Sequence, residues 1–185
     1  MDTRFIADPH LFDIDSKDWR KELNMSLEDY AEFFVDKWNF HTSTEDLVLL
    51  AGDIGVYCER TIRTLERLNG DIVLVLGNHD VSWGNNVYIK RFRHVCTEAE
   101  LGKLIYVKHI PEFTDRQIAQ YSYLIHGHHH RYDMPNMYRK LEQYAKNSKQ
   151  LNCGADLNYH HPCTLPELIT NKEQLLYKYM ERGLL

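Results

Sequence analysis

The stretch LVLLAGD, from Leu47 to Asp53, is the most informative part of this sequence. An apolar run precedes a glycine and a carboxylate, a pattern typical of a buried β-strand. In an α/β sheet, ligands bind in the crevice outside the carboxyl ends of the strands. Asp53 is therefore predicted to lie at a ligand site.

Four other apolar runs end in a similar way. They are Phe5–Ala7 before Asp8, Ile72–Leu76 before Asn78, Leu104–Val107 before His109, and Tyr121–Ile125 before His128. The side chains that follow them stand in the short islands Asp8-Pro9-His10, Gly77-Asn78-His79-Asp80, His109 and Gly127-His128-His129-His130. Five unrelated segments are thus predicted to deliver metal-binding side chains to one edge of one sheet.

Helices are predicted between these strands. The clearest one follows Ser26, which forms a capping box with Asp29 and precedes an apolar stripe that includes Tyr30, Phe34 and Trp38. Further helices are predicted over Tyr57–Leu68, Asn86–Phe92, Asp115–Gln120, Asn136–Lys149 and Thr164–Tyr179, the last as one or two helices, with a strand over Leu151–Cys153. Alternating strands and helices predict a layered α/β fold with its helices outside.

Length and composition indicate one globular domain over residues 1–185, because 43% of the chain is hydrophobic and 26% is charged. The formal net charge of −5 argues against a protein that tracks long nucleic acid through clustered Lys and Arg. Two bound divalent cations would add about four positive charges locally. The overall charge therefore does not describe the site itself.

The four cysteines, Cys58, Cys96, Cys153 and Cys163, are widely scattered, with no Cys-x-x-Cys pair. We expect buried free thiols and a reducing compartment. There is no secretory leader at the start, and no apolar stretch approaches the ~18 residues needed to span a bilayer. The sequence therefore predicts a cytoplasmic protein without a membrane partner, and it does not indicate an oligomeric state.

The islands provide a mixed set of oxygen and nitrogen donors without sulfur. The predicted ligands are Asp8, His10, Asp53, Asn78, His109, His128 and His130. Mn, Fe, Co, Ni and Zn suit such a set, whereas an all-oxygen Ca or Mg cage does not. Because side chains alternate along an extended segment, Asp8 and His10 are expected to share a side. The same rule groups His128 with His130 and turns His129 away.

These ligands are more than one transition metal usually takes. Two ions that share a bridging carboxylate resolve the surplus, and Asp53 is the natural bridge because its strand is the most central. Ions ~3.5–4 Å apart can generate a hydroxide between them and neutralise the oxygens of a displacement at phosphorus. The residues alone therefore favour phosphoester hydrolysis.

The joint pattern from Asp8 to His130 resembles the calcineurin-like metallophosphoesterases, in their small single-domain bacterial or phage form. The resemblance implies a four-layer αββα sandwich of two mixed β-sheets flanked by helices, with the site at the strand ends. It assigns Asp8, His10, Asp53 and His130 to one metal, and Asp53, Asn78, His109 and His128 to the other. Manganese is the preferred pair of ions, with Fe, Zn, Ni or Co as alternatives.

The same resemblance assigns roles to the residues between the ligands. His79 would protonate the leaving oxygen, Asn78 would help to hold the phosphoryl oxygens, and Asp80 would hydrogen-bond to His79 and favour its charged form. Two positions depart from the family pattern, since Lys108 replaces a small residue and Pro9 replaces Ser or Thr. Neither change removes a ligand.

The remaining histidines and basic residues have two readings. His41, His94, His126, His160 and His161 match no position of the pattern and are expected to have core or surface roles. Basic and aromatic residues near the islands could grip a second phosphate and stack a base, or could form a solvated surface. They are Tyr88, Lys90, Arg91, Phe92, Arg93, Arg131 and Tyr132, with Trp83, Asn85 and Asn86 as candidates for the entrance.

We expect a hydrolase of a phosphodiester or another small phosphate ester, with an open site, since the chain has no room for a large cap domain. The first alternative is a nuclease for single-stranded or terminal nucleic acid, which would use the same chemistry. The second is a scaffold that keeps the fold as a binding surface. A scaffold should have lost ligands, and every expected ligand is present in this sequence.

Overall fold

The computed structural model describes residues 1–14, 23–80, 91–131 and 144–182. The strands of these ranges are β1 (Thr3–Ile6), β2 (Leu47–Leu50), β3 (Asp71–Val75), β4 (Phe92–Cys96), β5 (Glu98–Leu101), β6 (Ile105–Lys108), β7 (Tyr123–His126), β8 (Gln150–Asn152) and β9 (Cys163–Thr164). The helices are α1 (Leu27–His41), α2 (Glu59–Glu66), α3 (Asp115–Gln120) and α4 (Leu165–Glu181).

The strands form two mixed sheets. In the first sheet the order is β4-β3-β2-β1-β9, with β1 to β4 parallel and β9 antiparallel to β1. In the second sheet the order is β5-β6-β7-β8, with β6 to β8 parallel and β5 antiparallel to β6. Each sheet therefore has a parallel centre and an antiparallel edge.

The space between the two sheets is filled by one apolar cluster. Phe5, Leu49 and Val75 of the first sheet pack with Val107 and Ile125 of the second. In β2 the neighbours of Leu49 point the other way because side chains alternate along a strand. Both faces of β2 are thus buried, as its continuous apolar sequence predicts.

Helices cover the outer faces of the sheets. Leu50 packs with Phe34 and Trp38 of α1 on the outer face of the first sheet. On the outer face of the second sheet, Leu124 packs in a cluster with Ile118 of α3. The layers therefore follow the order helices, sheet, sheet, helix, and the predicted αββα sandwich is confirmed.

Several predicted elements need correction. Phe92 opens strand β4 and does not end a helix, while residues 86–90 of that predicted helix lie outside the described residues. Of the predicted helix 136–149, residues 144–146 are helical and 136–143 lie outside the description. The polar edge strand β5 and the short β9 were not predicted, because neither has an apolar run long enough to stand out.

The predicted caps and free thiols are present, although Cys58 and Cys96 are only partly buried and not buried as predicted. Ser26 accepts a hydrogen bond from the N–H of Asp29, and Thr164 with Glu167 forms a full capping box at the start of the single helix α4. All four cysteines are free thiols, and Cys153 and Cys163 are buried. No helix in the described ranges is both long enough and apolar enough to cross a bilayer.

Leu49→Ala should destabilise the protein by about 2–5 kcal/mol, because it removes a buried side chain from the cluster between the sheets. Urea unfolding followed by circular dichroism measures the change. Phe40→Ala is the matched control: Phe40 is 85% exposed, and its truncation should change the free energy of unfolding by less than about 0.5 kcal/mol. Equal losses in both variants would contradict the packing described here.

Candidate metal centre

The predicted site residues all follow the carboxyl ends of strands. Asp8 and His10 follow β1, Asp53 follows β2, and Asn78 follows β3 in the first sheet. In the second sheet His109 follows β6, and His128 and His130 follow β7. Since the sheets pack face to face, these loops meet along one edge of the sandwich.

Six of the seven predicted ligands form two compact groups. Asp8, His10 and His130 make the first group, and Asp53, His109 and His128 make the second. Within each group, one donor atom from each residue lies within 4.8 Å of the others. The seventh residue, Asn78, adjoins the second group, with its Oδ1 atom 3.0 Å from His109 Nε2.

Asp53 lies between the two groups. Its Oδ2 atom is 3.3 Å from His109 Nε2 in the second group and 3.7 Å from His10 Nε2 in the first. One imidazole of each group thus lies near the same carboxylate oxygen. The groups therefore adjoin through Asp53.

Backbone strain accompanies the ligands. Asp8 (φ 58°), His10 (φ 44°), Asp53 (φ 53°) and His128 (φ 69°) all have the left-handed conformation that non-glycine residues rarely adopt. Strain of this kind clusters at functional sites. It also corrects the reasoning from alternation. Asp8 and His10 share a group although their segment is not extended, whereas His128 and His130, which that reasoning grouped together, belong to different groups.

Two glycines allow the loops to approach each other. A Cβ atom on Gly77 would lie 2.2 Å from Asp53 Oδ1, and a Cβ atom on Gly127 would lie 2.6 Å from Asp8 Oδ2. Real Cβ atoms do not come so close to other heavy atoms. The glycines of the Gly-Asn-His-Asp and Gly-His-His-His islands are therefore needed because a carboxylate of the site occupies the space beside them.

The structure corrects the role predicted for Asp80. Its buried carboxylate accepts hydrogen bonds from the N–H groups of Asp53 (2.7 Å), Gly77 (2.8 Å) and Ile54 (2.9 Å). The predicted hydrogen bond between Asp80 and the His79 ring is not present in the described residues. Asp80 instead ties the loop after β3 to the loop after β2.

His79 lies beside the ligand groups but belongs to neither. Its N–H donates to Asp53 Oδ1 (2.9 Å), and its ring centroid is 5.4 Å from that of His10 in an edge contact. His79 and Asn78 are exposed, whereas Asp8 and Asp53 are buried. The site thus has a buried acidic floor, formed by Asp8 and Asp53, and an exposed rim that carries the His79 imidazole.

Each of three ligand imidazoles has an acceptor behind its Nδ1 atom. Ala51 O lies 2.7 Å from His109 Nδ1, and because a carbonyl only accepts, Nδ1 carries the proton and Nε2 faces the site. Asp13 Oδ2 lies 3.4 Å from His10 Nδ1, and Asp156 Oδ2 lies 3.6 Å from His130 Nδ1, although neither contact has hydrogen-bond geometry. Acceptors in this position orient metal-binding histidines.

The buried carboxyl groups of the site favour the binding of cations. Burial raises the pKa of the Asp8 carboxyl to about 7, because a charge is poorly solvated there. Burial opposes the charge of His109 as well, but the carboxylates of Asp53 and Asp8 outweigh it and raise its pKa to about 9. In the metal-free chain a proton on His109 thus serves as the counterion, and a metal ion bound there would displace it.

The donor set fits a pair of borderline divalent ions. Buried carboxylates and oriented imidazoles converge from both sheets, and no cysteine belongs to either group. Hard cations such as Ca²⁺ prefer oxygen donors alone, whereas the transition metals accept this mixture. The residues present could therefore hold one ion in each group, with Asp53 between them.

The other histidines stay outside both groups. His41 and His161 stack with ring centroids 3.7 Å apart, His160 packs its ring against Tyr30, and His94 is exposed on β4. His126 is buried, with its Nδ1 atom 2.9 Å from Gly127 O. These placements agree with core and surface roles.

Two of the basic residues near the islands serve the scaffold. Arg91 donates to the carbonyls of Leu65, Leu68 and Gly70, and Arg93 forms an ion pair with Asp71 at the start of β3. The two ligand groups lie beyond the other end of that strand. Tyr88, Lys90, Tyr132, Trp83, Asn85 and Asn86 lie outside the described residues.

Asp13 and Asp156 are the residues that the sequence prediction missed. Asp13 stands three residues after His10, and Asp156 follows β8, the strand next to β7. The sequence signal that could have identified them is an acidic residue shortly after a predicted ligand or after a neighbouring strand. Neither follows an apolar run directly, so neither was distinguished from a surface carboxylate.

Asp156→Asn should weaken one manganese site about tenfold, the lower end of the usual effect of losing such a partner, and leave the other site unchanged. Asparagine can still accept the hydrogen bond that Asp156 Oδ2 takes from the Arg131 N–H (2.7 Å), so only the charge facing His130 is lost. Calorimetric titration with Mn²⁺ measures both affinities. Asp71→Asn, at the far end of β3, is the control. Two unaltered affinities in the Asp156 variant would count against this role.

Comparisons with known proteins agree with this fold. An uncharacterised protein of Methanocaldococcus jannaschii is 24% identical over 164 residues, which cover 85% of this chain and 79% of that protein. The crystal structure of a protein of unknown function from Aquifex aeolicus shares the fold, with a TM-score of 0.63 and 20% identity over 91% of this chain and 97% of that one. The model of the calcineurin-like phosphoesterase family matches residues 1–166, and this chain therefore belongs to that family.

Proposed function

We propose that this protein hydrolyses a phosphodiester or another small phosphate ester, using two divalent metal ions. The observation that carries the proposal is the pair of ligand groups, Asp8, His10 and His130 beside Asp53, His109 and His128, which adjoin through Asp53. Membership of the calcineurin-like phosphoesterases supports a metal-dependent phosphoester hydrolase.

The two ions, when bound, would supply an activated water nucleophile and neutralise the charge on the phosphoryl oxygens. The first would be held by Asp8, His10, Asp53 and His130, and the second by Asp53, Asn78, His109 and His128. Manganese is the preferred ion, and Fe, Zn, Ni or Co would suit the same donors.

Asn78 and His79 are proposed to act on the substrate directly. Asn78 is exposed beside the second group, so its amide is available to a phosphoryl oxygen as well as to an ion. His79 would donate a proton to the departing oxygen as a general acid. Its backbone bond to Asp53 and its edge contact with His10 hold it beside the acidic floor.

Asp80 supports this arrangement through the backbone. By receiving the amides of Asp53 and Gly77, its carboxylate fixes the distance between a ligand loop and the loop that carries His79. The exposed rim suits a substrate that enters from solvent. Selectivity would then come from the loops and clefts around the centre.

His79→Ala should retain both metals and reduce kcat by about 10²-fold or more on a substrate with a poor leaving group, the usual size of a general-acid effect. An ester of p-nitrophenol, whose leaving group needs no proton, should lose much less. His94→Ala removes an exposed histidine on β4 and serves as control. Undiminished turnover of the poor substrate would refute the proposed role.

Asp53→Asn should lose metal occupancy and activity together, because one carboxylate is proposed to serve both ions. Elemental analysis after dialysis in Mn²⁺ measures occupancy, and hydrolysis of bis-p-nitrophenyl phosphate measures activity. Asp36→Asn makes the same change on the exposed surface of α1 and should alter neither. Full occupancy in the Asp53 variant would argue against the bridge.

A further inference from the structure

A cavity with a volume of about 340 Å³ lies beside the proposed metal centre. It lies between α1, Arg131, the turn after β8 and α4. We call it the cationic cleft because three basic side chains, Lys37, Arg131 and Lys178, line it. Its volume falls in the range of small-ligand sites in proteins.

The cationic cleft shares a wall with the first ligand group. Asp156 lines the cleft, and its carboxylate lies 3.6 Å from His130 Nδ1. Arg131 directly follows His130 in the chain and donates its N–H to Asp156. The cleft therefore lies behind His130, on the Asp156 side of the first ligand group.

The three basic residues come from separate segments and form no salt bridge within the described ranges. Elsewhere on the surface, Arg60, Arg63, Arg67 and Arg93 each pair with a carboxylate. The carboxylate of the cleft belongs to Asp156, whose side chain is only 2% exposed and is engaged by the Arg131 N–H. A cleft with three such cations is notable in a chain whose net charge is −5.

The remaining polar side chains do not balance this charge. Burial lowers the pKa of His160 to about 4, so the ring is neutral near pH 7. Asn171 and Gln174 of α4 also line the cleft and are uncharged. The cleft therefore carries a net positive charge that protein groups leave open to an anion.

The turn at the cleft has a strained backbone, although none of its strained residues is a predicted metal ligand. Tyr159 (φ 57°) and His160 (φ 61°) are consecutive non-glycine residues in the left-handed region. The His160 ring is anchored against Tyr30, while Tyr159 stays 55% exposed on the cleft lining. Strain kept at a surface cavity points to a function for the cavity.

We propose that the cationic cleft binds a second phosphate group of the substrate, next to the phosphate ester that is hydrolysed. This inference rests on the proposed function and refines it to esters that carry a further phosphate, as in a nucleotide chain. Arginine and lysine are the usual protein partners of phosphate oxygens, and Arg131 can engage two oxygens at once.

The first test compares two substrates of the manganese-loaded protein, a dithymidine monophosphate with and without an additional terminal phosphate. The ratio of their kcat/KM values measures the benefit of the second phosphate. The triple variant Lys37→Gln, Arg131→Gln, Lys178→Gln should lower this ratio by about tenfold or more, a loss of about 1.4 kcal/mol. Lys103→Gln, at the opposite end of β6, should leave it unchanged. An unchanged ratio in the triple variant would overturn the proposal.

The second test measures binding without catalysis. Inorganic pyrophosphate is titrated calorimetrically into the metal-free full chain, so that no metal ion is present to hold it. Wild type and Lys103→Gln should bind it, increasingly weakly as NaCl rises, and the triple variant should bind at least about tenfold more weakly. Equal affinities of the wild type and the triple variant, or no binding by the wild type at millimolar pyrophosphate, would refute the proposal that the cleft binds phosphate. Salt-sensitive binding by an inactive protein would refute the proposed function instead.

Discussion

Two carboxylates buried at the ends of adjacent parallel strands impose the main constraint on this structure. Asp8 and Asp53 follow β1 and β2, and both are almost completely enclosed. A buried carboxylate is tolerated only beside positive charge or hydrogen-bond donors. The imidazoles of His10 and His109, the backbone amides around the loops and the proposed cations meet this need. The candidate metal centre and the stability of the strand ends therefore depend on the same interactions.

The loops that carry the ligands are held together by hydrogen bonds between their backbones. The amide of Asp8 bonds to Gly52 O (2.9 Å), that of His10 to Asp53 O (3.1 Å), and that of Gly127 to His109 O (3.1 Å). Asp80 adds the loop after β3, because its carboxylate accepts from the amides of Asp53 and Ile54 in the loop after β2. Left-handed residues and close-packed glycines allow these contacts. The sandwich thus supplies strand ends at fixed positions, and the loop bonds turn them into one site.

The sequence predicted the parts of this arrangement that depend on local patterns. Apolar runs located the central strands, and the polar residues directly after them identified Asp8, Asp53 and His109. The second sheet came from the family resemblance, because pairing between distant strands leaves no local signal. The backbone contacts of Asp80 and the position of Asp156 behind His130 could not be predicted either. They depend on loop conformations that the extended-strand rule does not describe.

Electron paramagnetic resonance of the manganese-reconstituted protein tests the central claim most directly, because it reports whether two ions share a ligand. After removal of unbound Mn²⁺, the account predicts two ions per chain and the exchange-coupled spectrum of a bridged pair. A single bound ion, or two ions with independent six-line spectra, would contradict a dinuclear centre joined by Asp53.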